Sequence, residues 1–454
     1  GERYDQYLRA KRGDIDIIIG PRSAVFMPFR NVGLIIIDEE HDGAYKNESV
    51  PRYHTRDIAI MRARIEGATV VLGSATPSVE SYYRAGQGEY ILSELKERAV
   101  KEARLPRVTV TDMREELKNR NRSIFSKFLK EKIDERLKCG EQVMLFLNRR
   151  GYAGFVSCRS CGYVLKCKHC EVSLTAHRNG TLKCHYCGSS YEMPKVCPKC
   201  GSKYIAAFGT GTQKVESLVG NEFPQARILR LDRDSAAKRG SMDEILEKFK
   251  NHEADILVGT QMIVKGHDFP NVTLVGVLAA DLSLYAGDYM SSERTFQLIT
   301  QAAGRAGRGG KPGEVVIQTY SPDNYSIMHA ARQDYKAFYN EEIGYREALS
   351  YPPAYHMMVV LIECPSYGVC SEQADVLKKV LTEDPEETGG MAVIGPADAH
   401  VSKGRDIYRK TIYVKCRDEA KLLRMRKRIS RMMADDDTFK NVTVTFDFDP
   451  MSMY

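Results

Sequence analysis

Eight cysteines between Cys158 and Cys200 form four Cys-x-x-Cys pairs: Cys158/Cys161, Cys167/Cys170, Cys184/Cys187 and Cys197/Cys200. Two residues between thiols let a tight turn aim both sulfurs at one metal. Four such pairs make two tetrahedral four-cysteine sites for zinc. Gly162, Gly188 and Gly201 mark the turns, and Pro198 sits inside the last pair. Few apolar residues lie between the pairs, so metal must supply the folding energy of this segment. A disulfide scaffold is the competing reading, but the rest of the chain reads as a large intracellular protein. A redox dithiol needs one pair, not four. Spacing alone leaves open which pairs share an ion. His169, His177 and His185 lie among the cysteines and read as bystanders beside eight thiolates.

Other chemistry-bearing residues lie outside this cluster. Asp38-Glu39 follows an apolar run. An acidic pair there suits Mg²⁺-nucleotide hydrolysis: one carboxylate holds the metal through water and the other orients the attacking water. A helix N-cap competes with that reading. Ser74 and Thr76, after the next apolar run, add hydroxyls for the nucleotide. Arg305 and Arg308 in Gln301-Ala-Ala-Gly-Arg-Ala-Gly-Arg308 stand one helical turn apart, flanked by glycines. Two guanidiniums on one face suit a phosphoryl group whose charge is growing, and cations at a helix C-terminus are the bland alternative. The stretch Gly259–Pro270 offers Thr260, Gln261 and Lys265 to a phosphate backbone and Gly266 and Asp268 to a nucleotide. Between the two hydroxyl and carboxylate clusters, Tyr45, Tyr53 and His54 can stack on bases while Lys46, Arg52 and Arg56 neutralise phosphate. Such stacking contributes about 1–3 kcal/mol per base and tolerates any sequence. A plain surface loop is the alternative.

The elements that position these residues read as α/β. Strands are expected at Asp16–Gly20, at 32–37 (buried on both faces) and at 68–73, with a helix over Thr55–Glu66. Near-continuous apolar strands alternating with helices imply a parallel sheet covered on both faces, with the chemistry at the carboxyl ends of its strands. The pattern restarts after Pro106 with strands at 108–111 and Gln142–Leu147 and a helix from Ser126. After Asn148–Tyr152 the cysteine segment interrupts it. It resumes with strands at 226–231, 255–259, 273–278 and Glu314–Thr319, and helices at 243–250 and 292–306. The cysteine segment is therefore an insertion in a second α/β lobe. From about Asp323 the composition changes to an α+β domain. Its strands are expected at 356–363, 411–415 and 442–447, and its helices at 368–381 and 418–433. The second of these helices buries Leu422, Met425, Ile429 and Met432 and turns out Arg424, Lys427, Arg428 and Arg431. The segment Ser402–Lys410, with Tyr408 among cations, is the better candidate for nucleic acid.

At 454 residues the chain has room for about three domains. Lysines and arginines outnumber acids 67 to 60, a net charge of +7 that nucleic acid tolerates but does not require. No apolar run approaches the length of a membrane span, and no signal peptide is present. Cys139, Cys364, Cys370 and Cys416 are scattered as cytoplasmic thiols are.

In this order and across two lobes, Asp38-Glu-Glu-His41, Gly73-Ser-Ala-Thr76, Gly259–Pro270 and Gln301–Arg308 resemble motifs II, III, V and VI of superfamily 2 helicases. The eight-cysteine insert, Gly209-Thr-Gly-Thr212, the aromatic-rich stretch from Tyr45 to Asp57 and the terminal Phe446–Pro450 narrow the match. The chain resembles the PriA family of replication-restart helicases over essentially its whole length. The resemblance implies two RecA-like motor lobes, the first incomplete, a two-zinc insertion and a C-terminal α+β domain. The implied boundaries are 1–103 for the first lobe, 104–150 with 204–325 for the second, 151–203 for the insertion and 326–454 for the last domain. It implies that Cys158, Cys161, Cys197 and Cys200 share one zinc and that Cys167, Cys170, Cys184 and Cys187 share the other. It further implies an ATP-dependent 3′→5′ DNA helicase using Mg²⁺. Asp38, Glu39, Gln301, Arg305 and Arg308 would be catalytic. Branched and single-stranded DNA, single-stranded DNA-binding protein, and primosome and helicase-loading proteins would be its partners. A monomer without membrane contact is expected, in a bacterial cytoplasm and associated with the nucleoid.

One departure stands out. No Gly-x-x-x-x-Gly-Lys-[Ser/Thr] loop occurs, and Gly310-Lys311-Pro312 is not one. The family carries that phosphate loop upstream of motif II, after a domain that recognises a 3′ end. A truncated chain that binds ATP poorly is therefore expected, and the gene sequence upstream of Gly1 is the observation that decides it. A non-hydrolysing, zinc-stabilised fork-DNA binding protein is the alternative.

Overall fold

Asp42, Ser78, Asp112, Ser126, Asn324 and Asp418 each stand where a helix begins, and each side chain accepts an N–H of the first turn. These caps satisfy donors that a helix leaves open, so polar punctuation in the sequence fixes where helices start. In the computed structural model the chain forms two units, Gly1–Leu92 and Ser93–Tyr454. Described residues are 1–97, 105–147, 154–177, 180–207, 211–237, 240–263, 269–307, 311–384, 388–404, 406–452 and 454.

The first unit contains α1 (Glu2–Arg12), β1 (Leu34–Ile37), a short hairpin of β2 (Lys46–Asn47) and β3 (Tyr53–His54), α2 (Thr55–Glu66), β4 (Thr69–Leu72) and α3 (Val79–Gly86). Strands β1 and β4 pair in parallel, Ile37 opposite Leu72. Two expectations fail here. Asp16–Gly20 is not a strand: Ile17 and Ile19 are 81% and 96% exposed, and no strand pairs with them among the described residues. Nor is β1 buried on both faces. Ile35 and Ile37 join a small core with Val25, Ala59, Val70 and Leu72, whereas Leu34 and Ile36 are exposed. With alternate side chains on opposite faces, a sheet packed on one side buries only every second residue.

The second unit opens with β5 (Arg107–Asp112), α4 (Met113–Lys118), α5 (Lys127–Lys138) and β6 (Gln142–Leu147). The cysteine segment follows, with β7 (Val156–Cys158), β8 (Thr175–Ala176), β9 (Thr181–Lys183), β10 (Ser190–Glu192) and β11 (Ile205–Ala207). The α/β pattern then resumes as α6 (Thr212–Glu222), β12 (Ile228–Leu231), α7 (Ser241–Lys250), β13 (Ile256–Gly259), β14 (Val272–Leu278), α8 (Asp281–Leu284), α9 (Ser291–Ala303) and β15 (Glu314–Thr319). Six strands pair in parallel in the order β12-β13-β6-β14-β15-β5. Every residue of β6, β13, β14 and β15 is buried, as a parallel sheet covered on both faces requires. Strands β7 and β11 pair antiparallel at the root of the cysteine segment, so the insertion leaves and rejoins the lobe at one place.

Helices α10 (Tyr325–Arg332) and α11 (Tyr335–Ala348) come next, then β16 (His356–Cys364), α12 (Tyr367–Thr382), β17 (Ala392–Gly404), β18 (Ile407–Cys416), α13 (Glu419–Asp435) and β19 (Thr443–Phe448). The last four strands form an antiparallel sheet in the order β17-β18-β16-β19. One face of it packs on α12 and α13 through Leu377, Leu381, Leu422, Met425 and Ile429. The segment 402–410 is part of the β17–β18 hairpin rather than an open loop.

Candidate motor turns and metal centres

Asp38 and Glu39 leave the carboxyl end of β1, both exposed. The Asp38 Oδ1 accepts the Glu39 N–H at 3.0 Å, and Glu39 takes a left-handed φ of 48°. A non-glycine residue there stores about 1–3 kcal/mol of strain and needs surrounding structure to hold it. That support is visible. Gly73 donates to Ile37 O at 2.9 Å, and Glu40 N–H donates to Gly73 O at 3.0 Å. The His41 Nδ1 lies 2.6 Å from Ser74 Oγ, which also accepts the Thr76 N–H at 3.0 Å. The acidic turn and the Ser74–Thr76 turn are thereby locked side by side at the ends of two parallel strands. Thr76 itself is 1% exposed, and its buried hydroxyl has no hydrogen-bond partner among the described residues.

Glu40 was not singled out by its sequence, yet it organises the unit's buried charge. Its carboxylate accepts Ser78 N–H at 2.6 Å and the Ser81 hydroxyl at 2.8 Å, and it lies 3.8 Å from the Arg56 guanidinium. Arg56 also pairs with Glu80, and it is 3% exposed. Burial raises the Glu40 carboxyl above its ordinary range. Glu80 feels the same burial, but Arg56 and Arg84 outweigh it and hold its carboxyl down at about 2. The phosphate-neutralising role expected of Arg56 is therefore corrected: at the first turn of α2 its guanidinium points into carboxylates. Replacing Arg56 with Met is expected to destabilise this unit by about 3–5 kcal/mol, because the buried Glu40 loses the cation beside it and Glu80 is left with Arg84. A urea titration followed by hydrogen exchange in α2 and β4 checks it, and an unchanged midpoint refutes it.

The aromatic-rich stretch is likewise more ordered than a surface loop. Strands β2 and β3 pair Lys46 with His54 and Asn47 with Tyr53. Arg22 ties the hairpin down through Ala44 O, Lys46 O and Asn47 Oδ1 at 3.0, 2.9 and 2.9 Å. Tyr45 donates its hydroxyl to Asp38 O at 2.7 Å, joining hairpin to acidic turn directly. Tyr53 packs edge-on against Phe26, and Arg52 Nε donates to Glu48 O at 3.1 Å. His54 Nδ1 accepts the Arg56 N–H at 3.2 Å as the cap of α2. Burial, then Arg56, pushes its imidazole down to about 3. His54 is thus a neutral cap rather than a cation. Lys46 is 6% exposed, which corrects its expected place on a phosphate-facing surface.

In the second unit Thr260 and Gln261 follow the carboxyl end of β13, with Thr260 N–H bonded to Leu231 O at 3.3 Å. Gln301 lies in the last turn of α9, and Arg305 follows that helix rather than riding on it, since α9 ends at Ala303. Gly307 N–H donates to Val272 O at 3.0 Å, which sets the Arg305 segment beside the amino end of β14. Thr260 and Arg305 therefore stand at opposite rims of the sheet, a strand length of about 20 Å apart. The close crossing at Gly307 depends on glycine. Its φ is 77°, and an added Cβ would lie 2.4 Å from Gly313 N. Lys265, Gly266, Asp268 and Arg308 lie outside the described residues, as do Asn148–Tyr152.

The eight cysteine sulfurs gather in two groups: Cys158, Cys161, Cys197 and Cys200, and Cys167, Cys170, Cys184 and Cys187, each with all ligand atoms within 4.8 Å of one another. Observed sulfur separations of 3.7 Å for Cys158–Cys200 and Cys161–Cys197, and 3.6 Å for Cys167–Cys187, exclude disulfides. A tetrahedron with zinc–sulfur bonds of about 2.3 Å has edges of about 3.8 Å, so both groups fit zinc. All four pairs share one turn. The cysteine that opens each pair accepts, on its carbonyl, the N–H of the residue four further on: Gly162, Glu171, Gly188 and Gly201, at 2.8, 3.0, 2.9 and 2.8 Å. These residues have φ of 73°, 57°, 77° and 70°, so glycine serves three turns and Glu171 bears strain in the fourth. At Gly162 an added Cβ would lie 2.2 Å from Tyr320 O, which shows how closely this turn seats on the end of β15.

Known proteins share these features. Residues 347–451 match the primosomal protein N C-terminal domain, 202–310 the helicase conserved C-terminal domain, and 167–191 the PriA DNA helicase Cys-rich region. The chain is 46% identical to the replication restart protein PriA of Bacillus subtilis over 100% of its own length and 56% of that protein. The PriA of Chlamydia pneumoniae is 43% identical over 99% of this chain and 60% of its own. That of a Synechocystis strain is 42% identical over 100% and 55%. The chain belongs to the PriA family. It spans somewhat over half the length of these PriA relatives. The Cys-rich match encloses all four ligands of the inner group, and the helicase match encloses Thr260, Gln261, Gln301 and Arg305. No helix among the described residues is long and apolar enough to cross a membrane.

Proposed function

We propose that the chain is the motor-bearing part of an ATP-dependent 3′→5′ DNA helicase that recognises stalled or branched replication forks and starts primosome assembly. Whole-chain similarity to replication restart proteins carries the reading. The acidic turn supports it locally. Asp38 would hold Mg²⁺ through water and Glu39 would orient the attacking water, with Ser74 and His41 fixing the turn. Gln301, Arg305 and Arg308 would meet the growing phosphoryl charge, and Gly266 and Asp268 the nucleotide. Thr260, Gln261 and Lys265 would track the DNA backbone, and Tyr45, Arg52 and Tyr53 would pass DNA contact to the acidic turn through the Tyr45–Asp38 bond. The two four-cysteine groups would hold two zinc ions with a structural role. Residues 1–103 would be the first lobe, 104–150 with 204–325 the second, 151–203 the insertion and 326–454 the DNA-binding domain. Single-stranded DNA-binding protein and helicase-loading proteins are its proposed partners, and a bacterial cytoplasmic monomer its proposed form.

The complete gene product should unwind forked DNA carrying a 3′ single strand in the presence of ATP and Mg²⁺, and spare substrates with only a 5′ strand. Unwinding of the 5′ substrate alone would reverse the polarity. Fork binding without hydrolysis would favour the second reading, a zinc-stabilised fork-binding protein, which the lack of a Gly-x-x-x-x-Gly-Lys-[Ser/Thr] loop in these residues keeps open.

A further inference from the structure

The zinc-binding insertion is seated on two different neighbours. Its outer turn rests on the motor sheet at Tyr320 O, as Gly162 shows. Its inner turn is driven into the antiparallel sheet. Tyr186, between Cys184 and Cys187, is 1% exposed and stacks on Tyr413 of β18 with ring centroids 4.9 Å apart. It also meets Tyr351 edge-on at 6.4 Å. Gly188 faces Ala397 of β17, and the His185 ring packs against His400.

Two residues beyond Tyr413, Lys415 is buried at 6% exposure. Its Nζ donates to Leu349 O at 2.9 Å and lies 3.4 Å from the centre of the Tyr351 ring. Among the described residues no carboxylate pairs with it. The Tyr351 ring it covers meets Tyr186, and Tyr351 and Tyr413 share one packed cluster with Cys167, Cys170, Cys184 and Cys187, so the ammonium sits against the surroundings of the inner four-cysteine group. A buried ammonium without an anion costs several kcal/mol. Four thiolates around one divalent zinc leave a net charge of about −2 that needs a counterion in turn.

We propose that Lys415 supplies the countercharge of the inner zinc site, so that a residue of the C-terminal sheet completes the surroundings of a metal held by the insertion. The competing account makes Lys415 an ordinary buried cation, content with one carbonyl and one aromatic face. The two accounts part at Lys415→Met. Removing an unpaired buried charge in favour of an apolar side chain of similar volume leaves folding intact or improved. Loss of an outer partner weakens metal retention about 10–100-fold.

The test follows zinc release from the full chain into a chromogenic chelator. In Lys415→Met one of two zinc equivalents should leave at least about ten times faster while the other keeps its rate, and Lys415→Arg should restore both. Lys415→Gln keeps a donor for Leu349 O and should behave like the Met variant. It decides the matter if Met does not fold. In a Cys200→Ser background, where the inner site is the intact one, the remaining zinc should show the acceleration. Wild-type release in the Gln variant, equal acceleration of both equivalents, or acceleration confined to the outer site would each overturn the proposal.

Discussion

In the complete gene product, Asp38→Asn is expected to lower DNA-stimulated ATP hydrolysis by about 10²–10⁴-fold while DNA affinity stays within about threefold. Asparagine keeps the carbonyl oxygen that accepts the Glu39 N–H, so the turn and its left-handed residue survive. What disappears is the negative charge proposed to hold Mg²⁺. Asp38 is exposed, so the substitution is expected to leave the unit folded, which its far-UV circular dichroism checks. Arg308→Ala and Arg305→Ala should each reduce turnover by a similar factor, by removing charge proposed to meet the transferring phosphoryl group. Undiminished turnover in Asp38→Asn would remove the acidic turn from the hydrolytic site whatever the arginine variants do.

The second large effect is metal removal. The purified chain should contain two zinc ions. Stripping them with a strong chelator should unfold the insertion, since structural zinc contributes about 10–16 kcal/mol of apparent binding energy at neutral pH in small sites of this kind. Hydrogen exchange reads the outcome by region. Protection should vanish in β7 to β11 and persist in β6 and β15, whose residues are buried in the parallel sheet. Acidification should release the metal as protons compete for thiolate, so retention rises with pH. One zinc or none per chain would break the two-site arrangement, and an insertion still protected after stripping would show that its core folds without metal.

The chemistry that could be read from the sequence was local, and what was lost was tertiary. Cysteine pairs two residues apart specify a metal turn by themselves, so the ligands were legible; spacing left open which pairs join, and the pairing that the family resemblance implied is the one that three-dimensional proximity shows. Continuous apolar runs such as Val143–Leu147 announced buried parallel strands with boundaries correct to a residue or two. The same signal misled at Asp16–Gly20, where β-branched residues have no strand to pair with among the described residues. Strand β17 went unseen because Gly395-Pro396 and Ser402-Lys-Gly look like turns. An edge strand admits proline at a bulge, and the register shifts there between Ile394 and Ala397. Helices α10 and α11 were missed within a general change of composition. The cations of the aromatic-rich hairpin were legible as cations but not as inward or outward. Whether Arg56 meets phosphate or Glu80 depends on an acidic residue far along the chain. Glu40 had the same difficulty: a third acid after Asp38-Glu39 carries no mark that it will turn inward.

The paired seats of the zinc insertion have a mechanical consequence. Gly162 presses on the rim of the parallel sheet, and Tyr186 is stacked inside the antiparallel one, with two four-thiolate knots between them. Within Ser93–Tyr454 these contacts join the two sheets through the insertion. A displacement of the parallel sheet is therefore expected to reach the β17–β18 hairpin through these packed contacts, and to reach it less once the zinc is stripped.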